Sequence, residues 1–261
     1  MRRISAVSWL APLLVQAVLP ASAYAQDPLE TETARFYKQG TGKVVDTFEI
    51  QKSKEGSELA IPIQIEYGIT DRLELLLEPS AYTSIRPKNA PNATDFGDLE
   101  ITLSYLLVEE EGSWPAIALA AELKLPLAKD PLIGTGEPDY TLILVGSRKF
   151  GDWDVHANIG YSLLGRGPLG GPRSSFNFAV ATVLRLDEKF DFVAEVVGGI
   201  SASSEGASAA AAGVPEAAGE EGTVFMIGGR YYFREKTLFS LGLGIDDNNA
   251  ALLRMGLTFK Y

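Results

Sequence analysis

The chain has 261 residues, no cysteine, a formal charge of −11 and 46% hydrophobic residues. Without a thiol it can hold no disulfide framework and no thiolate metal site, and so acidic a chain offers no basic footprint for nucleic acid. Beyond its N-terminus it has no run of about 18 apolar residues, which excludes a transmembrane helix; its 26 glycines and 10% aromatics leave a secreted β-sandwich or a membrane β-barrel.

Two arginines in residues 1–5 precede an apolar stretch, 6–19, broken only by Ser8 and Gln16. Ala21-Ser22-Ala23-Tyr24-Ala25 then gives two overlapping small-x-small sites. These are the parts of a secretory signal peptide over residues 1–25, cleaved after Ala25 to leave Gln26. The apolar run falls short of the roughly 20 residues that span a bilayer. Residues 26–42 show weak periodicity and mixed charge, which reads as a periplasmic N-terminal tail; the alternative is a plug inside a barrel.

Residues 43–261 then read as about twelve strands of a closed antiparallel transmembrane barrel: 43–51, 58–68, 72–82, 98–108, 114–127, 139–150, 152–164, 175–186, 190–200, 223–233, 237–246 and 251–261. Side chains alternate across a strand, so each segment should show one apolar and one polar face. In 58–68, Leu59, Ile61, Ile63, Ile65 and Tyr67 alternate with Glu58, Ala60, Pro62, Gln64 and Glu66; in 152–164, Trp153, Val155, Ala157, Ile159, Tyr161 and Leu163 oppose Asp152, Asp154, His156, Asn158 and Ser162. Segment 139–150 is apolar on both faces and less decisive. Pro62 counts against its strand, because proline removes a ladder donor. The last segment puts Leu253, Met255, Leu257, Phe259 and Tyr261 on one face, a pattern that closes a barrel against lipid. It resembles the C-terminal signal of bacterial outer-membrane barrels, which the assembly machinery reads; Phe259 and Tyr261 would carry it.

The connections agree. Those around residues 68–71, 109–113, 150–152, 187–189 and 234–236 are tight turns. Between them, 83–96, 128–138, 165–174 and 201–222 are long. Outer-membrane barrels alternate in this way, with short periplasmic turns and long extracellular loops. The 201–222 stretch, rich in Ala, Gly, Ser and Glu, lacks the apolar content to fold alone and reads as a mobile outer loop.

The Tyr67-Gly68-Ile69-Thr70-Asp71-Arg72 turn with its flanking strands, Gly97-Asp98-Leu99, Leu125-Pro126, Gly134-Thr135-Gly136 with Asp139, and Asn158-Ile159-Gly160-Tyr161 resemble the outer-membrane transporter family associated with the meta-pathway of phenol degradation. The likeness runs from Leu59 to Tyr261; it departs at Leu127-Ala128, where that family has a small polar residue and glycine. The resemblance implies a barrel that passes small, often aromatic, compounds.

The less apolar faces carry Glu66, Arg72, Glu74, Glu78, Asp98, Glu100, Glu122, Lys124, Asp154, His156, Arg185, Glu195, Arg230 and Arg254. These are the candidate lumen-lining residues. They either line an aqueous path or pair across the lumen and fill it. Twelve strands fall between filled barrels of about 8 and open channels of 16 or more, so a narrow or obstructed passage is expected. Passive transport of a small solute across the bacterial outer membrane is the favoured function, and a sealed structural barrel the alternative. A lipid-modifying enzyme would need His156, the one histidine, with a cross-strand serine; the favoured reading of His156 is a lumenal polar network. No cofactor or metal is expected. The expected partners are outer-membrane lipid, the barrel-assembly machinery and a small solute.

Overall fold

The strands are β1 (Gly42–Lys52), β2 (Gly56–Thr70), β3 (Leu73–Pro87), β4 (Ala93–Asp95), β5 (Leu99–Val108), β6 (Ala116–Leu125) and β7 (Asp139–Phe150). They continue as β8 (Trp153–Leu163), β9 (Ser174–Arg185), β10 (Phe190–Ser201), β11 (Gly222–Arg234), β12 (Thr237–Asp246) and β13 (Ala251–Lys260). The structure, a computed structural model, describes residues 28–165, 174–201 and 222–261. The expected signal peptide and nearly all of the 201–222 loop therefore lie outside the described residues.

Twelve of the strands close a barrel in which sequence neighbours pair antiparallel. Closure comes from β1 against β13, in register from Lys43↔Lys260 to Lys52↔Ala251. Gly42 N donates to Tyr261 O at 3.3 Å and Tyr261 N to Gly42 O at 3.0 Å, so the join is bonded to its end. A closed ring leaves no strand edge unpaired, which lipid would not tolerate. Both strand ends at this join lie with the short turns, at what we call the turn end. The other end of the barrel, the loop end, carries the long connections.

Alternation sorts the two faces. Leu103, Leu119, Leu142, Leu144, Ile159, Phe225, Ile227 and Leu243 are exposed on the outside, while Glu66, Asp154, His156, Glu195, Arg230 and Arg254 are buried inside. Exposed Tyr67, Tyr105, Trp114, Phe150, Trp153, Tyr231 and Phe259 cluster at the turn end, and Tyr140, Tyr161 and Phe176 towards the loop end. These are the two aromatic belts of a barrel that stands in a bilayer. Asp46 is an exception: it faces out, exposed, opposite Leu257 of β13 and Ile63 of β2.

One expectation changes, and one doubt about a strand is resolved. The 83–96 connection is not all loop, because β3 runs on to Pro87 and pairs with β4 through Thr83↔Asp95, Ser84↔Thr94 and Ile85↔Ala93. Thr83 and Ile85 are β-branched and extend the ladder past the point where β5 leaves it at Pro79↔Leu99. Pro62 lies inside β2 after all. The β2–β3 register shifts between Ala60 and Pro62, and the β1–β2 register skips Ile61 and Pro62, so the missing donor falls at an irregularity.

Candidate functional site

The lumen is not empty. The residues expected to form a free tail enter it: from the turn end, the chain N-terminal to β1 runs inside the barrel up to Pro28. The reason is a row of inward acids and hydroxyls that accept its backbone N–H groups. Glu195 of β10 receives Leu29 N at 3.1 Å, Glu30 N at 3.2 Å, Thr31 N at 3.1 Å and the Thr31 hydroxyl at 2.9 Å. Ser147 Oγ of β7 receives Ala34 N at 2.8 Å, and Glu74 of β3 receives Tyr37 N at 2.7 Å. The Asn158 amide of β8, oriented to satisfy both its ends, donates to Glu32 O at 3.0 Å and accepts from Glu32 N at 2.8 Å. An extended segment has no internal partners for its backbone, and these groups supply them.

Side chains fix the segment further. Arg35 donates to both oxygens of Asp154, at 3.1 and 2.8 Å, and meets Glu110 at 2.5 Å. Glu30 and Glu49 of β1 both pair with Arg254 of β13. Leu29 joins a lumenal apolar cluster with Val183, Val193, Val224, Met226 and Leu252. It sits over glycines: a Cβ built on Gly228 or Gly242 would come within 2.9 or 2.7 Å of Leu29 Cδ1. Ala34 packs with Leu106, Ala116, Ala118 and Val145, and Phe36 lies against them. At the turn end, Gly68 lets the chain pass; a Cβ there would lie 2.5 Å from Tyr37 O.

Most candidate residues fall in this packed interior. Glu66 pairs with Lys43 at 2.6 Å, and Glu78 accepts Gln64 Nε2 at 2.7 Å. Lys124 pairs with Asp139 and lies 3.9 Å from Asp98. Arg185 and Arg230 converge on Asp191, Arg230 at 2.8 Å, with the Tyr232 hydroxyl donating at 2.9 Å. Glu100 and Glu122 are half-buried. Asp98 lies at the loop end, where it accepts Leu127 N and Ala128 N at 2.9 Å. Asp95 does the same for Lys129 N at 2.8 Å, so the 126–138 connection folds against β4. Arg72 is the misplaced candidate. It stands in the β2–β3 turn, exposed, and pairs with exposed Glu109 at 2.6 Å.

The residues missed were those of the segment, together with Asp191, Glu49, Lys43 and Ser147. Asp191 shares the parity of Glu195 on β10, and Lys43 and Glu49 lie on the face of β1 opposite Phe48 and Ile50; that signal could have found them. Ser147 could be found only by register, since it is paired with His156 across β7 and β8.

The histidine lies between a serine and an aspartate. Ser147 Oγ is 2.8 Å from His156 Nδ1, and Asp154 Oδ1 is 3.9 Å from Nε2. The resemblance to a hydrolytic triad ends there. His156 and Ser147 are both fully buried, and the serine oxygen already holds Ala34 N. A nucleophile needs a substrate atom about 3 Å away, and that space is filled by the segment.

Among the described residues, a sizeable cavity lies in the lumen. It measures about 180 Å³, stands on the loop-end side of Glu30, and is lined by Glu30, Glu49, Gln51, Glu58 and Ala60 on one side and Val197, Val224, Met226 and Leu252 on the other. Lower down, between the segment and the wall, the gaps shrink to about 30 and 40 Å³, room for one water or little more.

No protein-family model and no curated protein matches the chain. Solved structures do. An outer-membrane channel from Pseudomonas putida F1 superposes with a TM-score of 0.66 at 15% identity over 91% of this chain and 100% of that one. The NanC porin gives 0.59 at 10% identity, over 84% and 100%. The KdgM porin, solved with disordered oligogalacturonate, gives 0.57 at 11%, over 84% and 99%. At these identities the likeness establishes the fold, that of an outer-membrane β-barrel.

Proposed function

We propose that the protein is a passive outer-membrane channel for small solutes, narrowed by its own N-terminal segment. The turn end would face the periplasm and the loop end the exterior, the orientation usual for such barrels. The observation that carries the reading is the lumen itself: a cavity near one mouth, then a constriction built by a segment bonded to side chains rather than by the wall. A sealed structural barrel would have no use for a cavity of that size at its mouth. With no nucleotide-binding motif in the sequence, flux would follow the gradient. The family resemblance adds aromatic or weakly polar compounds as the solutes to try first.

Reconstitution into planar bilayers and liposomes tests this. The full protein should give small conductance steps and swelling with phenolic solutes but not with oligosaccharides. Removing residues 28–39 should raise the conductance severalfold while the barrel still folds. If the full protein gives neither current nor swelling, and the deletion alone conducts, the barrel is sealed.

A further inference from the structure

The outer face of β1, β2 and β3 is apolar through most of its height, Asp46 apart, and ends in cations at the loop end. The three strands meet there on one row of partners, Lys52↔Ser57 and Ser57↔Arg86. Alternation turns all three side chains outwards, since Lys52 shares the face of Asp46 and Ile50, and Ser57 that of Leu59 and Tyr67. Lys52 and Arg86 stand two strand spacings apart, about 10 Å, so both can reach one group above Ser57. Lys54, in the β1–β2 turn, and Lys88, just past β3, are beside them, and all four are exposed. The turn is fixed: Ser53 Oγ accepts Glu55 N at 3.0 Å, Ser53 N donates to Gly56 O at 2.9 Å, and Lys88 N donates to Glu55 O at 2.7 Å. Residues 52–57 and 84–88 set a single acid, Glu55, against these four cations.

Ser57 lies ten residues along β2 from Tyr67 of the turn-end belt. At about 3.3 Å per residue and a tilt of about 40°, that is about 25 Å of height, the apolar band of a membrane barrel. The cations therefore stand where lipid headgroups begin, above the outward side chains of Phe48, Ile50 and Leu59. We propose that this patch binds the phosphate of a phosphorylated lipid in the leaflet at the loop end. The orientation in the passage reading makes that the outer leaflet, and the proposal rests on that reading in this respect alone. The Arg86 guanidinium can grip two phosphate oxygens at once, and the Lys52 ammonium adds a point charge. The lipid's chains would lie along Phe48, Ile50 and Leu59. A cluster of cations on an otherwise acidic protein would draw anionic lipid to this side of the barrel. A free phosphate would meet the same cations under salt screening, with no chains to set against the apolar row.

Native mass spectrometry of the purified protein in a non-ionic detergent tests this with three probes: diphosphorylated lipid A, the same lipid stripped of its phosphates, and inorganic phosphate. The diphosphorylated lipid should bind about tenfold more tightly than the stripped one, and added salt should weaken it. Lys52→Gln with Arg86→Gln should remove that preference, and Glu55→Gln should sharpen it. Arg234→Gln, at the turn end, should leave it unchanged; heat-modifiable mobility confirms that each variant is folded. Equal binding of the two lipids, or a preference that survives the double substitution, overturns the proposal. Displacement of the lipid by inorganic phosphate at matching concentration overturns it in favour of a small-anion site. Placement is tested separately. Lys54→Cys, in a chain with no cysteine, should react with a membrane-impermeant maleimide on intact cells. Labelling only after the outer membrane is opened overturns the outer-leaflet assignment, and the orientation with it. Conductance bears on neither result, so a barrel that proves sealed leaves the lipid site standing.

Discussion

Glu195 carries more of the segment's attachment than any other residue of the wall. Its carboxyl group accepts three backbone N–H groups and a hydroxyl. Glu195→Gln turns an NH₂ towards donors that both carboxyl oxygens now satisfy, so docking of residues 29–31 should weaken by about 1–3 kcal/mol. Faster amide exchange at Leu29, Glu30 and Thr31 and noisier single-channel current would register it. Glu32 couples the segment to pH. Burial in the lumen, with the Glu78 and Glu66 carboxylates close by, holds its carboxyl well above the ordinary value, while Lys43 opposes them and Glu122 adds to them. A raised carboxyl favours the docked state fully below its undocked value of about 4.3, and that advantage is lost as pH rises through the docked value. Conductance should therefore increase with pH, and Glu32→Gln should flatten the profile. His156→Ala should loosen the segment through Ser147 and leave the lipid composition of the membrane unchanged, as lipid analysis of cells expressing the variant would show.

Among the elements, β13 is where sequence and structure agree most fully. Its outward row of Leu253, Met255, Leu257 and Phe259 follows from alternation alone, and the structure adds the partner that alternation cannot name, β1. Tyr261 lies beyond the strand, exchanges backbone bonds with Gly42, and brings its hydroxyl within 3.3 Å of Glu66 O. Deleting it, or making Phe259 and Tyr261 polar, opens the join where each unsatisfied backbone group in lipid costs several kcal/mol. The amount of folded protein in outer-membrane fractions should fall sharply. The strands were legible because lipid outside and polar groups inside impose a period of two along the chain. The segment was not, because an extended stretch held by its backbone needs no particular side-chain pattern. What marks it as a plug, Glu195, Ser147 and Glu74, belongs to the wall. Arg72 misled for a related reason: its parity is that of the inward row, but it sits one residue before β3 begins.

For the whole molecule, a hydrogen-bonded ring with an internal strut should resist detergent. The native barrel should run with altered mobility on a denaturing gel until it is boiled, and the shift should need a lower temperature once residues 28–39 are removed. Protein released from cells without detergent would contradict a membrane barrel altogether. The ionic interior was only half legible in the sequence. Composition and parity located the inward charges, but the pairs Lys43–Glu66, Arg230–Asp191 and Lys124–Asp139 depend on shear between strands, which alternation does not determine.

The segment's partners also set an order of events for the chain. Residues 28–39 precede every strand, yet their partners lie on β3, β7, β8, β10 and, through Arg254, on β13. The Glu195 bonds alone span 166 residues of sequence. The first of these residues in the chain must therefore wait for the last strand to arrive, and a chain stalled before β13 joins β1 would hold residues 28–39 by some of their ties only. An added protease would then cut at the segment in an unfinished barrel and spare it in a finished one, which makes the segment a record of whether the ring has closed.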